Sequence, residues 1–177
     1  MKEALEELML HDEARRTVFS TELGWMAMVG QGDVLKRLVF GYPTAAEAEC
    51  ALGRSWLDGS RSAAWNGPLR KRLQCYCDEE CVEFDDIPVQ LDGLTDFGRQ
   101  VFQALRKVRY GQITTYGALA AEAGTPRAAR AVGRWMAGNP IPLVIPCHRV
   151  VCSNNNIGSY SAPGGAAMKR YLLQMER

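Results

Sequence analysis

An α/β fold in two parts is predicted for this 177-residue chain, and three features of the sequence predict it. Residues 17–77 give short β-branched and aromatic runs separated by turn pairs, followed by capped helical stretches. From Thr95 onward the pattern is mainly helical. The charge divides at nearly the same place: residues 1–96 carry 10 Lys/Arg against 18 Asp/Glu, net −8, and residues 97–177 carry 11 against 2, net +9. A basic segment joined to an acidic one indicates two domains, 1–92 and 93–177, of which only the second meets a polyanion. Mutual attraction of the two halves is the other reading of that split.

Taken in order, Met1 to about Arg16 reads as an amphipathic helix or arm, with Leu5, Leu8 and Met9 on one side. Thr17–Thr21, Trp25–Gly30 and Val34–Phe40 read as strands, joined by turns at Leu23-Gly24 and Gly30-Gln31-Gly32-Asp33, an antiparallel meander. Thr44 with Glu47 forms a capping box that opens a helix to about Leu57, ended by Gly59-Ser60. A second helix covers Gly67 to Cys77, burying Leu69 and Leu73. A three-stranded sheet with a helix or two on one face follows. The stretch Cys81 to Leu91 is acidic and partly extended, and Asp92-Gly93 marks a turn.

The start Met1-Lys2-Glu3-Ala4-Leu5-Glu6-Glu7 is a charged helical pattern with no signal peptide, and no apolar run is long enough to span a membrane. An intracellular protein with reduced thiols is expected, in cytoplasm or nucleus according to organism. Cys75-x-Cys77-x3-Cys81 lacks the usual two-residue ligand gap, and no second Cys/His pair completes it, so no metal is expected.

In the basic half, Thr95 or Asp96 caps a helix with Val101, Leu105 and Val108 on its apolar side, and Tyr110-Gly111-Gln112 stops it. Thr115 caps a short helix, Tyr116 to Ala123. Pro126 stands in the first turn of another that runs to Ala137. Two short helices joined so tightly are a helix-turn-helix. On the second, Arg127, Arg130 and Arg134 share one face and Val132 and Met136 another. Ala128, Ala129, Ala131 and Gly133 between them let a duplex approach closely, so the arginines reach phosphates or bases. A solvated basic face is the plainer alternative.

Everything is organised around Ile145-Pro146-Cys147-His148-Arg149-Val150-Val151, which follows Asn139-Pro140-Ile141-Pro142-Leu143-Val144. Proline keeps this apolar run from being helical, and an extended, stiff run ending at a turn would hold a thiol in one position. A buried structural cysteine is the bland reading of Cys147 alone.

Pro146-Cys147-His148-Arg149, with Asn139-Pro140 upstream and Gly158-Ser159-Tyr160-Ser161 downstream, closely resembles the active-site signature of the O6-alkylguanine-DNA alkyltransferases. The resemblance runs from about Phe97 to Glu176 and is weaker before Phe97. It implies a ribonuclease H-like amino-terminal domain and a winged helix-turn-helix in the carboxy-terminal one. It also implies direct-reversal DNA repair: O6-alkylguanine, with O4-alkylthymine as an additional candidate, is flipped from the duplex, and its alkyl group passes irreversibly to Cys147 in a single turnover. No cofactor is implied, and the partner is double-stranded DNA met by a monomer.

By the same resemblance, Glu176, His148 and a water relay the Cys147 proton, Tyr116 protonates the leaving base, and Asn139 is a hinge to the recognition helix. The DNA surface comprises Arg130, which fills the gap left by the flipped nucleotide, with Arg127, Ala129, Ala131, Gly133, Arg134 and Thr115. The pocket comprises Tyr160, Ser161, Val150, Met136 and Pro142. Adjacent residues of an extended chain point to opposite sides, so direct Cys147–His148 contact is awkward; a water or a turn just after Cys147 would relieve it. The family usually has a shorter loop after the tyrosine than Ser161-Ala162-Pro163-Gly164-Gly165, and Asn154-Asn155-Asn156 is an unusually polar turn. Some members bind zinc in the amino-terminal domain, and no matching residues occur here.

Three other functions compete. A binder that recruits repair factors would lack the cysteine of the string. A helix-turn-helix regulator would not need His148, Arg149 or the tyrosine loop. A Cys-His hydrolase would need an oxyanion loop that is not evident.

Overall fold

The computed structural model describes residues 13–154 and 156–177. Most of the expected amino-terminal helix, with Leu5, Leu8 and Met9, lies outside the described residues, as does Asn155 of the polar turn; Arg15 and Arg16 belong to a strand. The chain forms two compact units, one holding residues up to Asp78 together with Ile87–Gln90, the other Glu79–Asp86 together with Leu91–Arg177.

In the first unit β1 (Arg15–Thr21), β2 (Gly24–Gln31) and β3 (Val34–Tyr42) form the expected antiparallel meander. A short β4 (Arg61–Ser62) adds to β1 in parallel, so the sheet is mixed and has four strands rather than three, in the order β3-β2-β1-β4. Five consecutive residues of β2, Met26 to Gly30, are buried, because the sheet is covered on both faces rather than one. On one face Ala27 and Val29 pack with Ala48 and Leu52, from α1 (Ala45–Ala51) and its cap. On the other, Gly30 lies so close to the Trp65 ring that no side chain fits.

Thr44 caps α1 by accepting from the Glu47 amide at 3.2 Å. That helix does not reach Leu57: Gly53 adopts φ +93°, and a separate α2 (Arg54–Asp58) begins after it. A left-handed glycine ends a helix because it alone meets no Cβ penalty there. The next helix, α3 (Gly67–Cys77), buries Leu69 and Leu73 as expected.

In the second unit Thr95 caps α4 (Asp96–Leu105), accepting from the Gly98 amide, and Val101, Phe102 and Leu105 are buried. A two-stranded parallel pair, β5 (Thr114–Thr115) with β6 (Val150–Val151), joins the start of α5 (Tyr116–Glu122) to the chain just after Cys147. The following helix, α6 (Ala129–Ala137), starts three residues later than Pro126 suggests. The Ala128 amide donates to Thr125 O at 3.0 Å, so Pro126 and Arg127 are the centre of a turn. Proline's fixed φ suits that position as well as it suits a first helical turn.

Trp135 fastens α6 to α4, lying edge-on to Phe102 with ring centroids 6.0 Å apart and covering Gly98. A Cβ at Gly98 would sit 2.6 Å from the Trp135 ring. Gly98→Ala should therefore lose stability despite gaining helix propensity: overpacking costs about 1–3 kcal/mol, against a gain of at most about 1 kcal/mol. Urea unfolding followed by tryptophan fluorescence should show a net loss on the order of 1 kcal/mol; a gain would mean that Trp135 moves aside without cost.

Candidate active site

The segment before Cys147 is not an extended run. The Ile145 amide donates to Ile141 O at 2.9 Å, Pro142 bridges Ile145, and Leu143 takes φ +70°. Two prolines in four residues leave too few amide donors for a strand ladder, and the chain closes on itself as a buried turn. Such a φ is uncommon for leucine and persists only where its surroundings impose it. Stiffness before the thiol therefore comes from a closed turn.

Residues Cys147–Arg149 form one turn of 3₁₀ helix. At three residues per turn, successive side chains point about 120° apart. This relieves the expected clash of directions: His148 and Arg149 turn to the tail while Cys147 faces a cavity. His148 Nε2 lies 2.9 Å from Glu176 Oε1. Arg149 donates through Nε to Glu176 Oε2 at 2.8 Å and through one terminal nitrogen to Oε1 at 2.9 Å, a bidentate pair. Its other terminal nitrogen donates to Val108 O at 2.6 Å. All three side chains are buried.

Burial alone would raise the Glu176 carboxyl, but hydrogen bonds and charge from His148 and Arg149 outweigh it and hold the group at about 2. Burial lowers His148, against the opposing pull of Glu176, so the imidazole is neutral at neutral pH. A neutral ring facing a carboxylate places its proton on Nε2 and leaves Nδ1 as the basic nitrogen.

Asn139 does two jobs at the end of α6. Its Nδ2 donates to Ile145 O at 2.8 Å and to Cys147 Sγ at 3.1 Å, while its Oδ1 accepts from the Ile141 amide at 3.1 Å. One amide thus closes the turn and touches the sulfur. Burial pushes the Cys147 thiol up; hydrogen bonds from Asn139 and Tyr160 and the Lys169 charge oppose that shift. Tyr116 is likewise raised, chiefly by burial, and so keeps its proton.

The thiol faces a cavity of about 140 Å³, lined also by Tyr116, Gly133, Met136, Tyr160, Ser161 and Lys169. Of the expected pocket residues, Tyr160, Ser161 and Met136 are there. Val150 and Pro142 are not on that lining: Val150 is buried with its carbonyl taken by Lys169 Nζ at 2.6 Å, and Pro142 belongs to the closed turn.

Of the expected DNA surface, Arg130 and Arg134 are exposed on α6, whereas Arg127 precedes the helix and does not continue its face. Ala129 and Ala131 are half-buried on α6, and Gly133 borders the cavity instead, near the Tyr116 ring. The Thr115 hydroxyl is engaged as a cap, accepting from the Ala118 amide at 3.1 Å.

Lys169 was given no role by the sequence. It is buried on α7 (Gly165–Met175), with Nζ 5.7 Å from the Tyr116 ring centroid. The signal was its spacing: Lys169, Leu172 and Glu176 fall at i, i+3 and i+7, one helix face, and all three are buried. Among the described residues, no group of three His, Cys, Asp or Glu could hold a metal ion, and no helix is long and apolar enough to cross a membrane.

Comparison with known proteins points to one family. The family model described as "6-O-methylguanine DNA methyltransferase, DNA binding domain" matches residues 96–177. The human methylated-DNA–protein-cysteine methyltransferase is 54% identical over 176 residues, 93% of this chain and 81% of that protein. The protein of that name from Cricetulus griseus is 54% identical over 81 residues, which span 45% of this chain and only 38% of the relative. Among solved structures, Mycobacterium tuberculosis OGT in complex with DNA superposes with a TM-score of 0.76 at 31% identity, covering 92% of each chain.

The depressed Glu176 carboxyl has a consequence for stability. Its folded value lies below the ordinary 4.5, so its contribution is present above about 4.5 and is lost as pH falls through about 2. The shift corresponds to roughly 3 kcal/mol. The stability difference between wild type and Glu176→Gln, from urea unfolding, should be constant above pH 5 and shrink by about that amount towards pH 2. A difference that did not change with pH would mean that the carboxylate is not held as described.

Proposed function

The chain belongs to the methylated-DNA–protein-cysteine methyltransferase family, which repairs alkylated guanine in DNA by alkyl transfer, and on that premise we propose that Cys147 is the residue that accepts the alkyl group. The observation that carries the assignment is that the Cys147 sulfur lines a cavity shared with residues of the arginine-bearing helix α6. A base within a duplex cannot present its alkyl carbon in line with a sulfur, so the nucleotide must leave the stack and enter that cavity.

In the proposed sequence His148 Nδ1 takes the thiol proton, through the water of the family's relay, with Glu176 fixing the tautomer. The thiolate attacks the alkyl carbon, a C–S bond forms, and the C–O bond breaks with its electron pair passing to the base. Tyr116, kept protonated by burial, donates to the departing guanine. A thioether offers no good leaving group, so one chain removes one alkyl group. Asn139 links the sulfur to the end of α6. Arg130 fills the stack where the nucleotide left, its planar guanidinium suited to lie against bases, and Arg134 and Arg127 reach phosphates.

The finer architecture follows the same reading, with the boundary at 92/93 replaced by the division into two units: a ribonuclease H-like domain in the first unit and a winged helix-turn-helix in the second, which also takes in Glu79–Asp86, with β5 and β6 at the wing. The protein acts as a monomer on double-stranded DNA inside the cell, with O4-alkylthymine as a second substrate.

Intact-mass measurement after mixing with a duplex carrying one O6-methylguanine should show wild type gaining one methyl, on Cys147, and Cys147→Ser gaining none. Binding without a mass change would favour a recruiter. With the same duplex, Tyr116→Phe should slow transfer roughly a hundredfold, the scale of general acid catalysis; an unchanged rate would remove Tyr116 from the chemistry.

A further inference from the structure

The acidic segment Glu79–Asp86 has no place in the chemistry described so far, yet it is grouped with the alkyl-acceptor unit and not with the unit that precedes it in sequence. Its contacts say why. Glu79 Oε1 accepts from the Tyr171 hydroxyl at 3.3 Å. Asp85 pairs with Arg109 at 3.0 Å, and the carbonyl of Asp85 accepts from Arg106 at 2.7 Å. Glu83 reaches inward: Oε1 accepts from the Tyr110 amide at 2.9 Å, and Oε2 stands 3.9 Å from a terminal nitrogen of Arg149.

Arg149 is therefore enclosed on every side. Glu176 takes two of its nitrogens, Val108 O takes the third, the Tyr110 ring lies 6.0 Å from its guanidinium carbon, and Glu83 supplies a second carboxylate. Tyr110 belongs to the same frame, since its hydroxyl donates to Met175 O at 3.1 Å, one residue before Glu176. The bidentate pair with Glu176 sets the plane of the guanidinium. The Val108 carbonyl at 2.6 Å and the Glu83 carboxylate, an ion-pair contact at 3.9 Å, hold its outer nitrogen against sliding along that pair, and the position of Arg149 fixes Glu176.

We propose that Glu83 is a positioning residue for alkyl transfer, setting Arg149 and through it the Glu176–His148 pair, so that the acidic segment Glu79–Asp86 is a working part of the alkyl-acceptor unit. The inference rests on Cys147 being the acceptor. It differs from a merely structural role in what it leaves alone: the DNA-binding helix is untouched, and the nucleophile is still present.

The test uses the full chain and the O6-methylguanine duplex, separating the first-order transfer rate at saturating DNA from the DNA Kd and from the fraction of chains that react. Glu83→Gln should lower the rate roughly tenfold, within the loss that a misplacement on the order of 1 Å produces. Kd and reacting fraction should be unchanged. Glu80→Gln, the same charge change at an exposed neighbour, should leave the rate at the wild-type value. In an Arg149→Lys background the Glu83 effect should vanish, because the residue it acts through is already displaced.

A Glu83→Gln rate equal to wild type overturns the proposal. So does a fall confined to the reacting fraction, which marks a folding role, or an equal fall in Glu80→Gln. Wild type that transfers no methyl at all sinks the acceptor assignment, and this inference with it.

Discussion

The carboxylate of Glu176 is the constraint on which the second unit depends. A carboxylate taken fully out of water is costly unless it is paired and its lone pairs are filled. Here both oxygens are taken, by His148 and by two nitrogens of Arg149, and the Gly111 amide donates to Oε2 at 3.3 Å. Those partners come from the turn after Cys147 and from the loop after α4, so satisfying one charge gathers the tail, that turn and that loop. Gly111 shows how tight the gathering is, since a Cβ there would stand 2.8 Å from Glu176 O. The pairing also fixes the chemistry of the imidazole, because an ionised acceptor on Nε2 dictates which nitrogen can act as a base.

A second layer of the same logic surrounds the sulfur. Lys169, buried like Glu176, donates a hydrogen bond to Val150 O and faces the Tyr116 ring. Its field favours a thiolate at Cys147, while burial opposes one. The resting thiol is therefore held protonated, with donors from Asn139 and Tyr160 already in place for the anion. In the proposed transfer, charge that develops only during reaction would meet dipoles oriented in advance, leaving little reorganisation to do.

Much of this was legible where a local rule decides the outcome. Thr44 and Thr115 each cap a helix where expected, Thr95 is the cap of the two candidates at 95 and 96, and Leu69 and Leu73 are buried on the helix that their spacing promised. Local rules failed where two outcomes satisfy them equally. Pro126 suits a turn as well as a first helical residue, and the alternative won because Ala128 closes on Thr125. Gly53 within a helical pattern is tolerated or terminal, and only its φ distinguishes the two. In the run Ile141–Pro146 proline excludes a helix, which points to an extended chain but equally permits the turn that forms.

The candidate site was legible in its proposed nucleophile and in the residues next to it, and illegible in what holds them. Cys147, His148 and Asn139 lie within ten positions, so a short string carries them. Arg149 lies in that string too, but its four partners come from Glu83, Val108, Tyr110 and Glu176, spread over more than ninety residues. No periodicity links such positions, because what joins them is the need to neutralise one buried carboxylate and one buried guanidinium together. The −8 and +9 halves of the sequence suggested two bodies of opposite charge. The contacts of Asp85 and Glu83 place part of the acidic half within the basic unit, where it acts at the range of hydrogen bonds. Net charge by segment thus averages over contacts of opposite sign, while the same carboxylates, taken singly, determine where Arg106, Arg109 and Arg149 can point.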